Sequence, residues 1–344
     1  MSSENTEESI LGECDQDKST ATATSDANSN AHSHTAESSI LPESGELPIS
    51  SLLKCDTLDD RNSLLGRRLL CRGSGGLIVG ATGTGKSVLA LQLAVRLAIG
   101  KDFFGIRNTH SGPLKVLLVQ AENDAVEVAE VLQSLTAGWD KNYPEDLKTL
   151  KDHLMVQHVW EKWGFEFVDW LRIYADKNNI DLVIIDPLLA YIGGNVSEND
   201  TIATFLRGNI NGMLKKKGGI NKKKFALLFV HHTLKPDQGK TGTKTTTQQT
   251  YDVLGGSELS NWARCIIRLD TRDGKTVKDS KGTITEVRGK GLYVLSVPKR
   301  GQRSGLRTIT HQGENACFIQ QAAQGKGEKA KLNLEWHSAK EDQD

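Results

Sequence analysis

The sequence predicts an α/β protein built on a twisted, mostly parallel sheet with helices on both faces. Three observations carry that expectation. Apolar runs at 76–79, 114–119 (interrupted only by Lys115), 182–185 and 225–230 are too continuous for a sheet with one face in water, so they read as buried parallel strands. Helical periodicity at 88–95, 125–135 and 199–215 alternates with them, the order that winds helices onto both faces of one sheet. A glycine-rich turn joins the first run directly to the first helix.

That turn reads Gly80-Ala81-Thr82-Gly83-Thr84-Gly85-Lys86-Ser87 and matches G-x-x-x-x-G-K-[ST] between a strand and a helix. Glycines let the loop wrap closely, so that backbone N–H groups and the positive end of the helix dipole point at a polyphosphate. The expected nucleotide-binding residues are Gly80, Thr82, Gly83, Thr84, Gly85, Lys86 and Ser87. Lys86 reaches the β- and γ-phosphates of ATP and the Ser87 hydroxyl holds Mg²⁺.

In such a sheet, chemistry collects at the carboxyl ends of the strands. Asp186 closes the 182–185 run, where an acid can hold Mg²⁺ directly or through water; the same Asp could instead cap a helix. Glu122 follows the 114–119 run and can activate the attacking water as a general base, although acids also favour the first turn of a helix. The run at 225–230 ends in His231-His232. Alternation sends the two to opposite faces, and His232 is placed to meet the γ-phosphate or the attacking water. Arg264 has no partner legible in sequence and reads either as a surface arginine or as an arginine finger.

Residues 1–46 hold ten acidic residues against Lys18 alone and almost no large apolar side chains, the composition of a disordered acidic tail; His32 and His34 belong to it. The remainder carries 33 acidic and 42 basic residues, a balance that suits contact with a polyanion. Residues 51–72 form a lead-in expected to pack on the core. Trp163, Phe167 and Trp170 fall at i, i+4 and i+7 and read as the core-facing stripe of a helix, with base stacking as the other use of such aromatics. Lysines at 215–217 and 222–224 flank a Gly-Gly turn, where a solvated helix end explains them better than a nucleic-acid patch. The polar stretch 233–250 is long for a connection inside a compact domain, which marks it as functional or mobile. Strand-like stretches follow at 265–269, 283–287 and 292–297. The expected organisation is tail 1–46, one domain over 47–315 and a weakly structured C-terminal tail over 316–344. Five scattered cysteines with no C-x-x-C pair, and no apolar stretch approaching a membrane span or secretory signal, lead to the expectation of a cytoplasmic protein without membrane contact.

The order of these features resembles the RecA-type P-loop ATPases, and within them the RepA-like hexameric replicative helicases of plasmids and phages, over about residues 47–300. The resemblance rests on Gly80 to Ser87, Glu122, Asp186, His231-His232, Gly255-Gly256-Ser257 and Arg264. It implies an ATPase with Glu122 as catalytic base, Asp186 on Mg²⁺ and His232 as γ-phosphate sensor. It further implies Arg264 as a finger supplied in trans within a homo-oligomer, a hexameric ring. Residues 193–200 and 233–250 then match two loops that contact single-stranded DNA, and only the second is basic, through Lys235, Lys240 and Lys244. Related DnaB-type helicases carry a Lys-x-Arg element after a late strand; here Lys299-Arg300 are adjacent. A recombinase-like or regulatory ATPase that assembles on DNA without unwinding it, and a nucleotide-gated binding protein with little turnover, are the alternative readings.

Overall fold

The computed structural model describes residues 46–58, 60–194, 199–215, 223–233, 250–253, 257–271, 275–278, 284–287, 292–306, 308–309, 314–321 and 334–338. The acidic tail with His32 and His34, the loop lysines Lys235, Lys240 and Lys244, and Gly255-Gly256 lie outside them. The chain divides into two units after Asp56. In the described part of the first, α1 (Ile49–Lys54) is a short helix with no buried residue.

The second unit opens with a hairpin, β1 (Ser63–Leu65) and β2 (Leu70–Cys71), whose Leu64, Leu65, Leu69 and Leu70 are fully buried. Then come β3 (Gly75–Gly80), α2 (Lys86–Ala98), β4 (Val116–Gln120) and α3 (Ala125–Leu135). Asp124 and Glu127 form a reciprocal capping box that starts α3 at the predicted residue. After α4 (Trp139–Asn142), α5 (Pro144–His153) and β5 (Leu154–His158) come α6 (Gly164–Lys177) and β6 (Leu182–Asp186). Next are α7 (Leu189–Ile192), α8 (Asn199–Ala203) and α9 (Asn211–Lys215), the last two joined by a π-helical stretch, Thr204–Ile210. The single helix expected over 199–215 therefore contains a widened turn. β7 (Ala226–His232), α10 (Ser257–Trp262) and β8 (Cys265–Thr271) complete the alternation.

Six of these strands lie parallel in the order β5-β4-β6-β7-β3-β8. Alternate residues feed two cores, because successive side chains of a strand point to opposite faces. Ile78, Leu118, Ile184 and Leu228 pack with α2 and α3 on one side; Leu77, Val119, Ile185 and Phe229 pack with α6, α7 and α10 on the other. The fold is a RecA-like α/β NTPase fold. Among the described residues no helix is long and apolar enough to cross a membrane, and Cys55, Cys71, Cys265 and Cys317 are free thiols.

Two expectations change. Phe167 is fully buried and stacks on Tyr191 at 4.0 Å, and Trp170 packs beside it, but Trp163 is 59% exposed because it sits at the cap position before α6 rather than on its core stripe. The segment after 316 is also not a weakly structured tail throughout. Beyond a small hairpin of β9 (Lys275–Lys278) and β10 (Ile284–Val287), β11 (Leu292–Lys299) pairs antiparallel to β8. On it are laid β12 (Thr308–Ile309), β13 (Glu314–Gln321) and β14 (Trp336–Ser338), which extend the sheet. A strand paired to an existing edge gains its ladder bonds and a packing surface from its neighbour, so its own sequence shows little pattern.

Candidate active site

The site grows from the carboxyl ends of β3, β4, β6 and β7. Gly80, Gln120, Asp186 and His232 all share the strand phase that faces α2, so period-two alternation alone sets them on one face. Register does the rest: Gly80 lies opposite His232 and Gln120 opposite Asp186. His231 takes the opposite phase, with Phe229, and is fully buried.

Between Gly80 and α2 the chain forms a tight loop with an exposed crest at Ala81, Thr82 and Gly83. Thr84 closes it through an Oγ1–H donated to the Ala81 carbonyl at 2.8 Å. Gly85, in the left-handed region at φ 84°, is the N-cap of α2, and no side chain caps the helix. Its first amides are thereby left for another acceptor, the arrangement that binds phosphate. Lys86 is buried, its Nζ donating to the Ala81 carbonyl at 2.7 Å. Burial lowers its pKa to about 8, against the opposing pull of the Asp186 and Glu122 carboxylates.

Asp186 is 3% exposed and accepts hydrogen bonds from Gln120 Nε2, at 3.2 Å, and from Ser87. Burial raises its pKa, opposed by those two donors. A hydroxyl and a carboxylate in contact form the oxygen pair that a hard divalent cation takes, so Ser87 and Asp186 fit Mg²⁺. Glu122 lies in the turn after β4, exposed, and close enough for its charge to act on Lys86, Asp186 and His232. His232 approaches Thr82, Nδ1 to Oγ1, at 3.5 Å. Its pKa is lowered by burial first and by the Lys86 charge second, which favours the neutral imidazole.

Arg264 is not among these residues. It immediately precedes β8, and its backbone N–H donates to the carbonyl of Gly75, the first residue of β3. About 16 Å of strand, five residues at roughly 3.3 Å each, therefore separate its backbone from Gly80. Its Nε is buried without a hydrogen-bond partner, as is Nη1 of Arg300. Arg300 lies within the electrostatic reach of Arg264, and its pKa is lowered by burial and then by that charge. Lys299, by contrast, donates to the Ser260 carbonyl, which ties β11 to α10. Sequence reasoning passed over Gln120; the signal available was a polar residue ending an otherwise apolar strand beside Glu122.

No curated protein matches the chain. The model of the AAA domain family does match, over residues 43–238, a span of more than half the chain that contains the phosphate loop, Glu122, Asp186 and His232 and stops short of Arg264. With that match on a RecA-like sheet, the chain belongs to the AAA domain family of P-loop ATPases.

Proposed function

We propose that this ATPase is a motor on single-stranded DNA, a replicative helicase of the RepA-like type that works as a ring, hexameric in that family. The observation that carries the reading is the placement of Arg264. Its guanidinium has a buried nitrogen with no partner, and it stands at the amino edge of a sheet whose carboxyl edge holds the phosphate loop, Glu122, Asp186 and His232. A finger in that position serves the neighbouring copy's nucleotide and not its own.

In this reading the α2 amides and Lys86 hold the β- and γ-phosphates, and Ser87 and Asp186 hold Mg²⁺, which when bound neutralises phosphate charge. Glu122 accepts the proton of the attacking water, and neutral His232 hydrogen-bonds the γ-phosphate or that water. Arg264 of the adjacent copy stabilises the charge that develops in transfer. Lys235, Lys240 and Lys244, in the polar stretch after His232, supply the backbone-directed charge that DNA contact requires.

The test is steady-state ATP hydrolysis with and without single-stranded DNA, followed by strand displacement on a forked duplex. Stimulation and displacement together are expected. Stimulation without displacement identifies an ATPase that assembles on DNA and does not unwind it. Absence of any DNA response refutes the motor.

A further inference from the structure

The phosphate loop has a wall that lies outside the matched AAA segment. A methyl group on Gly85 would stand 2.8 Å from Cζ2 of Trp336 and 3.3 Å from Nε2 of Gln321, so the indole edge and that amide lie against the backbone of the loop. Trp336 is 1% exposed, and Tyr293 packs edge-on against it at 4.7 Å. Its Nε1–H, next to the Cε2 carbon that also faces Gly85, is buried with no acceptor. An indole N–H is ordinarily hydrogen-bonded when buried, so this one is held in place by its surroundings.

Those surroundings are the helices of the nucleotide site. Gln92 of α2 donates Nε2–H to the Trp336 carbonyl at 2.8 Å and accepts the Trp336 N–H at Oε1, also at 2.8 Å, as a neighbouring strand would. Two residues earlier, the Leu334 N–H donates to Ser134 Oγ of α3 at 2.8 Å. On its other edge β14 is laddered to β13, with Trp336 opposite Gln321. Residues 334–336 thus join the helix that starts at Lys86 to the helix that follows Glu122, and set an indole behind the loop between Gly80 and Lys86.

We infer that Trp336 is a positioning residue for nucleotide binding: docked by Gln92, it holds Gly85 in the conformation that turns the first α2 amides toward phosphate. The inference rests on the P-loop reading of the site. A pliant loop must be ordered at each binding event, whereas a loop backed by a rigid aromatic is already ordered, so the gain is in affinity rather than in the chemical step.

The experiment labels the full chain with 5-fluorotryptophan, assigns the Trp336 ¹⁹F signal by its loss in Trp336→Phe, and titrates with ADP and Mg²⁺. The Trp336 signal is expected to shift along the same saturation curve as nucleotide binding measured by calorimetry. In kinetics, Trp336→Ala raises KM for ATP by about 10-fold with kcat within about 2-fold, and Trp336→Phe, which keeps an aromatic wall, recovers most of the loss. A Trp336 signal that stays fixed at saturating ADP overturns the inference, as does a Trp336→Ala protein that melts earlier yet keeps its KM. Wild-type protein that binds no nucleotide overturns the P-loop reading and this inference together; binding with an unresponsive Trp336 overturns this one alone.

Discussion

Lys86 shows how one buried charge sets a pH limit. An exposed lysine keeps its proton to about 10.5, whereas burial brings Lys86 down to about 8. Protonated Lys86 is the form that attracts phosphate, so nucleotide affinity should be full below about pH 8 and fall as pH rises through it. ADP titrations between pH 6.5 and 9.5, in buffers of different ionisation enthalpy, should also show proton uptake near pH 8. In Lys86→Ala affinity should be weak and flat over that range. The same shift carries a stability consequence of opposite sense. The unfolded chain keeps this proton between pH 8 and 10.5 when the folded one has lost it, so the lysine's contribution to stability rises with pH in that window. Glu122 makes a separate prediction: Glu122→Gln, which keeps shape and removes the base, should lower kcat by ~10²–10⁴ and leave ATP binding nearly unchanged. Equal losses in kcat and affinity would assign Glu122 to binding.

At the scale of elements, the site depends on adjacent strand ends supporting one another. Gln120 ends β4 opposite Asp186 on β6, and its amide donates to the carboxylate. Support of this kind commonly changes metal affinity by 10–100-fold. Gln120→Ala should therefore raise the Mg²⁺ concentration needed for half-maximal hydrolysis by about 10-fold while sparing Mg²⁺-free nucleotide binding. On the other face, the Phe167–Tyr191 stack ties α6 to α7, the helix that follows Asp186. Phe167→Ala should cost about 3–5 kcal/mol, from lost transfer energy and the cavity left behind, and urea unfolding measures it. The π-helical stretch Thr204–Ile210 lies against α6 as well and buries Phe205, Leu206 and Ile210. A stretch of that kind widens the helix, which a hydrophobic periodicity of 3.6 does not announce.

At the scale of the molecule, the candidate residues divide between the two edges of the sheet. Lys86, Glu122, Asp186 and His232 gather at the carboxyl edge, Arg264 and Arg300 at the amino edge. If one copy completes the next, Arg264→Ala and Glu122→Gln should each be inactive alone and partly active when mixed, because some interfaces then pair an intact Glu122 with an intact Arg264. Verified mixed oligomers with no recovered hydrolysis would remove Arg264 from the catalytic machinery. The family match ends at residue 238, yet β8, β11 and the strands beyond it extend the same sheet, with Arg264 just before β8 and Trp336 on β14.

The phosphate loop, the parallel strands and the acids and histidines that end them were legible in sequence, because each depends on local order. Four largely apolar runs define buried strands, a fixed glycine spacing defines the loop, and alternation predicts that His231 and His232 diverge. Tertiary structure decided what depends on neighbours distant in the chain. Gln120 acquires a role only when β4 and β6 come into register, and Trp163 loses its expected place because α6 starts one residue later. Arg264 becomes distinctive only through the edge on which it lies. Trp336 meets Gly85 across some 250 residues of sequence, held by one glutamine side chain that pairs with its backbone. Strands added beyond the parallel part of the sheet, such as β13 and β14, owe their order to the strands and helices they join, so their own residues carry little of the signal.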